Sequence, residues 1–213
     1  MKHLRRSIVI GIMTLAAMNF PTSIFGQTTI AIQGGLSRAT VGGSDAENAD
    51  ARIGITLGAS ATIPIQEKFS LQFGGNYVQK GAKTEEEGLE GKINADYIEL
   101  SSLGVFNLTP SGSQASVYML VGPSVAFNTK CEGSVSGTIL SESINISSDC
   151  GEETKSLDLG ITGGIGTEMA MSEGMTFSID LLYTLGLLSV DKVGDVKTRA
   201  LILRAGVGFP IGK

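Results

Sequence analysis

Residues 52–63 read Arg52-Ile53-Gly54-Ile55-Thr56-Leu57-Gly58-Ala59-Ser60-Ala61-Thr62-Ile63. Every second side chain from Ile53 onward is apolar, and those between are small or polar. Successive side chains of a strand point to opposite faces, so this stretch predicts a β-strand with one apolar face. The pattern recurs on both sides of it. Phe69, Leu71, Phe73, Gly75 and Tyr77 alternate with Ser70, Gln72, Gly74 and Asn76. Further apolar rows are Val117 to Phe127, Leu157 to Ile165, Met175 to Leu185 and Leu201 to Phe209, each taken at every second residue. Two weaker segments, Thr28–Arg38 and Asn94–Leu108, bring the expected strands to eight.

The spacing of these segments predicts how they connect. Ala39–Ala51, Gln79–Ile93 and Thr129–Ser156 are long connections and Ser189–Lys197 is intermediate; Pro64–Lys68, Thr109–Gln114 and Ser172–Gly174 are short. A meander of hairpins sends alternate connections to opposite ends of the sheet. One end therefore carries long polar loops and the other tight turns, the asymmetry of membrane-spanning β-barrels.

Charge decides which solvent the apolar face meets. None of the apolar rows holds Asp, Glu, Lys or Arg, whereas the opposite face holds Arg52, Glu99, Asp158, Glu168, Asp180 and Arg204. A charge facing lipid costs about 2–4 kcal/mol at the bilayer midplane, so an apolar exterior around a polar interior suits a membrane. The expected fold is all-β: an eight-stranded antiparallel up-and-down transmembrane β-barrel, whose closure satisfies every backbone donor and acceptor within the sheet. The alternative is a secreted soluble β-barrel with its apolar face inward, binding an apolar small ligand.

Residues 1–26 read as a signal peptide. A basic start, Met1–Arg6, precedes a short apolar run, Ser7–Met18, and small Gly26 stands before Gln27. That run is too short to cross a bilayer, which takes about 20 residues. The barrel domain is then expected over residues 27–213. Three of the 16 basic residues (Lys2, Arg5 and Arg6) lie in the leader, so 13 remain against 21 acidic ones. Such an excess repels phosphate chains and argues against nucleic acid as a partner. Export leads to an oxidising compartment, where Cys131 and Cys150 are expected to form a disulfide across the longest loop.

Several segments resemble the PorT-like outer-membrane β-barrel family of Bacteroidetes. They are Gly75-Asn76-Tyr77-Val78-Gln79-Lys80-Gly81-Ala82, Asp96-Tyr97-Ile98-Glu99-Leu100, and Tyr118-Met119-Leu120-Val121-Gly122-Pro123. Gly160 to Gly166 and Asp180 to Leu187 follow in the same order. The resemblance implies a barrel in the bacterial outer membrane and implies little about activity.

Chemistry is sparse. His3, in the leader, is the single histidine, which leaves the rest of the chain without His-dependent nucleophilic catalysis or the usual zinc ligands. Glu168 and Asp180 face the same side on successive strands and offer a carboxylate pair for acid–base work. The competing reading is a structural polar plug in which Arg204 and Arg52 balance the acids, because eight strands leave room for little besides side chains. The acidic clusters Glu85–Glu87 and Asp149 to Glu153 lack the spacing of a Ca²⁺ loop. No cofactor and no metal are expected. The sequence thus predicts a non-enzymatic outer-membrane protein that presents extracellular loops, with membrane lipid and other envelope proteins as partners.

Overall fold

A computed structural model describes residues 27–43, 50–86, 89–110, 113–139, 142–150, 154–192, 194 and 196–211. The leader, residues 1–26, lies outside them, as do parts of the long connections and Gly151–Glu153 of the second acidic cluster.

The described residues form nine strands: β1 (Thr28–Gly42), β2 (Asp50–Gln66), β3 (Phe69–Glu86), β4 (Leu89–Asn107), β5 (Ala115–Ile139), β6 (Glu142–Asp149), β7 (Leu157–Ala170), β8 (Thr176–Gly186) and β9 (Lys197–Ile211). All pairings are antiparallel. Each ring strand pairs with its neighbours, β4 pairs with β5, β5 with β7, and β9 closes onto β1. Eight strands form the closed ring; among the described residues β6 pairs with the far end of β5 alone and stands outside the ring.

The strands are longer than the alternation suggested. β3 and β4 continue through most of the expected Gln79–Ile93 loop, pairing as far as Glu86↔Leu89. The expected Thr129–Ser156 loop holds the end of β5 and all of β6, paired from Glu132↔Asp149 to Ile139↔Glu142. A tilted strand crosses a bilayer in about 9–11 residues. At 25 residues β5 projects well past that span, so the long-loop end is a raised β-ribbon rather than open coil.

The apolar rows face outward. Ile53 is 70% exposed, and Ile55, Leu57, Leu181, Leu203 and Phe209 also lie on the outer surface. This arrangement gives the inward-facing soluble barrel no support. Inside, the expectation of a polar face is corrected in part. Val78, Leu103, Leu120, Leu182 and Ile202 pack with Tyr118 into an apolar girdle across the lumen. A barrel of eight strands is too narrow to hold bulk water, so its middle is filled like any protein core.

One irregularity changes which residues point inward. Tyr97 pairs with Asn128 but Asp96 pairs with Lys130, leaving Thr129 as an extra residue in β5. Such a bulge shifts the alternation by one. Below it Tyr118, Leu120 and Ser124 point into the lumen; above it Cys131 is buried instead.

Candidate functional site

The girdle separates two groups of polar side chains. Toward the long-loop end, Lys80 Nζ lies 2.9 Å from Glu99 Oε2 and 3.8 Å from Asp158 Oδ2. Thr198 Oγ1 donates to Asp158 Oδ2 at 2.5 Å, and the ammonium stands 5.0 Å from the centre of the Tyr97 ring. All five side chains are buried. Toward the short-turn end, Arg204 Nε donates to Asp180 Oδ2 at 2.8 Å, Tyr118 Oη to Asp180 Oδ1 at 2.6 Å, and Arg204 Nη2 to Gln72 Oε1 at 3.0 Å. Gly166 makes room for this group, since a Cβ there would run into Asp180 Oδ1 and the Tyr118 ring.

Four of the six residues singled out from sequence belong to these groups. Glu99 and Asp158 belong to the first, and Asp180 and Arg204 to the second. Glu168 lines a polar vestibule of about 130 Å³ at the short-turn end, together with Asp180, Tyr118 and Gln72. Arg52 does not balance the acids as expected. Its Nη1 donates to the main-chain oxygen of Lys80 at 2.7 Å. Its role is to close the wall where β2 and β3 lose register between Ala51 and Thr56. Ser37 Oγ helps by donating to the oxygen of Gln79 at 2.6 Å. The cation that neutralises Glu99 and Asp158 is Lys80, which the sequence reading places in a loop. Its alternation with Asn76 and Val78 was the available signal.

Little free volume connects the two groups. At the girdle the void is about 10 Å³, room for at most one water. Toward the long loops a cavity of about 90 Å³ lies under Val190 and Val196. Among the described residues the interior is thus a packed plug, with a polar vestibule at the short-turn end and a smaller cavity at the long-loop end.

Beyond the apolar band the long-loop end has its own features. Cys131 and Cys150 are joined, with Cα atoms 5.2 Å apart, where β5 and β6 separate from the ring. Thr154 Oγ1 donates to the oxygen of Cys150 at 2.9 Å and ties the chain just ahead of β7 to the disulfide. Register puts Ile93, Val135 and Ile146 on one face of the raised sheet, and all three are exposed. They line an open cleft of about 440 Å³. Lys130 Nζ bonds Glu132 Oε2 at 2.8 Å; that bond and the carboxylate's charge raise the lysine pKa.

A sequence-family match and a solved outer-membrane barrel agree with this architecture. A sequence model described as outer membrane protein beta-barrel domain matches residues 23–192. The crystal structure of the outer membrane protein OprG from Pseudomonas aeruginosa superposes with a TM-score of 0.53 at 13% identity, over 88% of this chain and 98% of that one. Ail, the attachment invasion locus protein of Yersinia pestis, gives 0.44 at 19% identity over 86% and 99% of the two chains. A major outer membrane protein from Thermus thermophilus gives 0.47 at 13% identity, over 86% of this chain and 99% of that one. These likenesses concern the fold. No curated protein matches the sequence.

Proposed function

Because the chain belongs to the outer membrane protein beta-barrel domain family and resides in the outer membrane, we propose that it is a non-enzymatic display barrel. In this reading the ring anchors the protein, and the ribbon of β3 to β6 is the part that meets other molecules outside the cell. A cleaved leader ending near Gly26 carries it across the inner membrane, and residues 27–213 form the mature domain. Within the wider family we group it with the PorT-like barrels of Bacteroidetes. The observation that carries the reading is the contrast between the two ends. Short connections join the ring strands at one end, while a disulfide-braced ribbon rises from the other.

The packed interior supports a passive role. Glu99, Asp158 and Asp180 are engaged by Lys80, Thr198, Arg204 and Tyr118. The test is surface labelling. An epitope inserted after Leu140, between β5 and β6, should be reached by antibody on intact cells, whereas one inserted at Glu173 should need a permeabilised outer membrane. The opposite result would overturn the assignment of ends.

A further inference from the structure

The outward rows of β1 and β9 change character at one level. On β1 the row is Ile30, Ile32, Gly34, Leu36, then Arg38; on β9 it is Phe209, Val207, Ala205, Leu203, Leu201, then Arg199. Arg38 stands opposite Leu201 on one side and Ile53 on the other. Arg199 stands opposite Thr40 and Leu185, one step nearer the long loops. The two arginines are diagonal neighbours on adjacent strands, exposed on the outer wall where the apolar band ends.

Neither guanidinium has a hydrogen bond or ion pair among the described residues. The outward rows of β1, β8 and β9 contain no acid among those residues, and the acid of β2, Asp50, stands at the far end of that strand opposite Lys83. The opposite wall differs: Glu90 lies 3.8 Å from Lys83 and 3.5 Å from Lys92, and Glu132 pairs with Lys130. Arg199 also has a prepared seat. A Cβ on Gly42 would lie 2.5 Å from its Cζ and 2.7 Å from its Nε, so the bare face of Gly42 is what lets the guanidinium lie there. Gly42 is farther from the apolar band than Thr40, so the arginine leans out of the hydrocarbon toward the polar interface.

We propose that Arg38 and Arg199 form a binding site for the phosphate of a lipid in the surrounding leaflet. Two guanidinium groups without a counter-charge among the described residues stand on adjacent strands, and one anion bound between them would neutralise both. The guanidinium fork matches phosphate oxygens two at a time. The apolar surface directly below, Leu36, Ile53, Leu201 and Leu203, is where that lipid's chains would lie. The anion available at this depth is therefore a lipid headgroup. The site rests on the proposed placement of the long-loop end at the outer leaflet, but its test does not depend on sidedness.

The test is native mass spectrometry of the folded protein released from phosphatidylcholine nanodiscs containing bis-phosphorylated lipid A in both leaflets. The protein should retain lipid A in preference to phosphatidylcholine. Arg38→Gln combined with Arg199→Gln should lower that retention about tenfold, the effect of losing a charge-assisted hydrogen bond. Arg199→Lys, which keeps the charge but loses the fork, should lower it partially, and Lys83→Gln with Lys92→Gln should leave it unchanged. Undiminished retention in the double arginine variant would overturn the site. So would equal retention of dephosphorylated lipid A, or displacement of the lipid by millimolar inorganic phosphate, which would mark a site for soluble anions. Since both outward arginines could be removed without touching the interior, a double variant that still shifts on heating in detergent is a folded control.

Discussion

Lys80 and Glu99 form an ion pair of 2.9 Å, side by side inside the barrel with almost no exposure to solvent. Asp158 shares the same ammonium at 3.8 Å, so one cation serves two carboxylates. The partners are therefore not equivalent. Lys80→Met leaves two buried acids without a counter-charge, whereas Glu99→Gln leaves Lys80 and Asp158 matched one to one. Breaking a buried pair by removing one partner costs about 3–5 kcal/mol, and Lys80→Met should reach that range while Glu99→Gln should cost clearly less. Urea unfolding in lipid vesicles measures both; equal losses would show that the second carboxylate is already neutral or hydrated.

The girdle supplies a second asymmetry. Leu182 is 3% exposed and packs inside with Leu103, Leu120 and Ile202, while Leu181, its neighbour, is 43% exposed on the outer face. Leu182→Ala should cost about 2–5 kcal/mol, because a packed interior keeps the cavity. Leu181→Ala should cost less, since lipid chains refill the space. Leu181→Arg places a charge in the hydrocarbon and should cost about 2–4 kcal/mol near the midplane. Vesicle folding yields and urea midpoints check the order, and a larger loss at Leu181→Ala than at Leu182→Ala would reverse the assignment of faces.

The bridge between Cys131 and Cys150 braces a ribbon, not the ring. Closing a loop of this size contributes about 3 kcal/mol by the chain-entropy model, and that stabilisation is local to the ribbon. Cys131→Ser should raise protease cutting between residues 132 and 149 on intact cells while the ring stays folded. Loss of the folded ring in this variant would mean that ribbon and ring form one cooperative unit.

The packed lumen also makes a statement about transport. With a void of about 10 Å³ at the girdle, the protein should give no sustained ion conductance in a planar bilayer. Steady single-channel steps from the purified wild-type chain would show that the girdle opens.

Much of the fold could be read from the alternation of Ile53 to Ile63 and its repeats, because lipid enforces period 2 on the outer face residue by residue. Ring closure and strand order followed from the same reading, and the pairing of Cys131 with Cys150 from the oxidising compartment that export implies. The interior was less legible. Lumenal residues answer to packing as well as polarity, so Val78, Leu103 and Leu182 break the polar row without any outward signal. Lys80 was missed because the apolar alternation stops at Tyr77, where β3 leaves the hydrocarbon, although the strand itself continues to Glu86. The bulge at Thr129 erased the signal in β5 by exchanging its faces. Arg38 and Arg199 lay just past the ends of the apolar rows, and only register sets them beside each other.

Whether the ring is closed, with an outer face made for lipid, can be read from gel mobility in detergent. A ring in which β9 closes onto β1 has no free edge, and opening it in an apolar medium exposes unpaired backbone groups. Protein kept cold in dodecyl sulfate should therefore run as a compact species, faster than the same protein after boiling. Identical mobility before and after boiling would rule out the closed barrel.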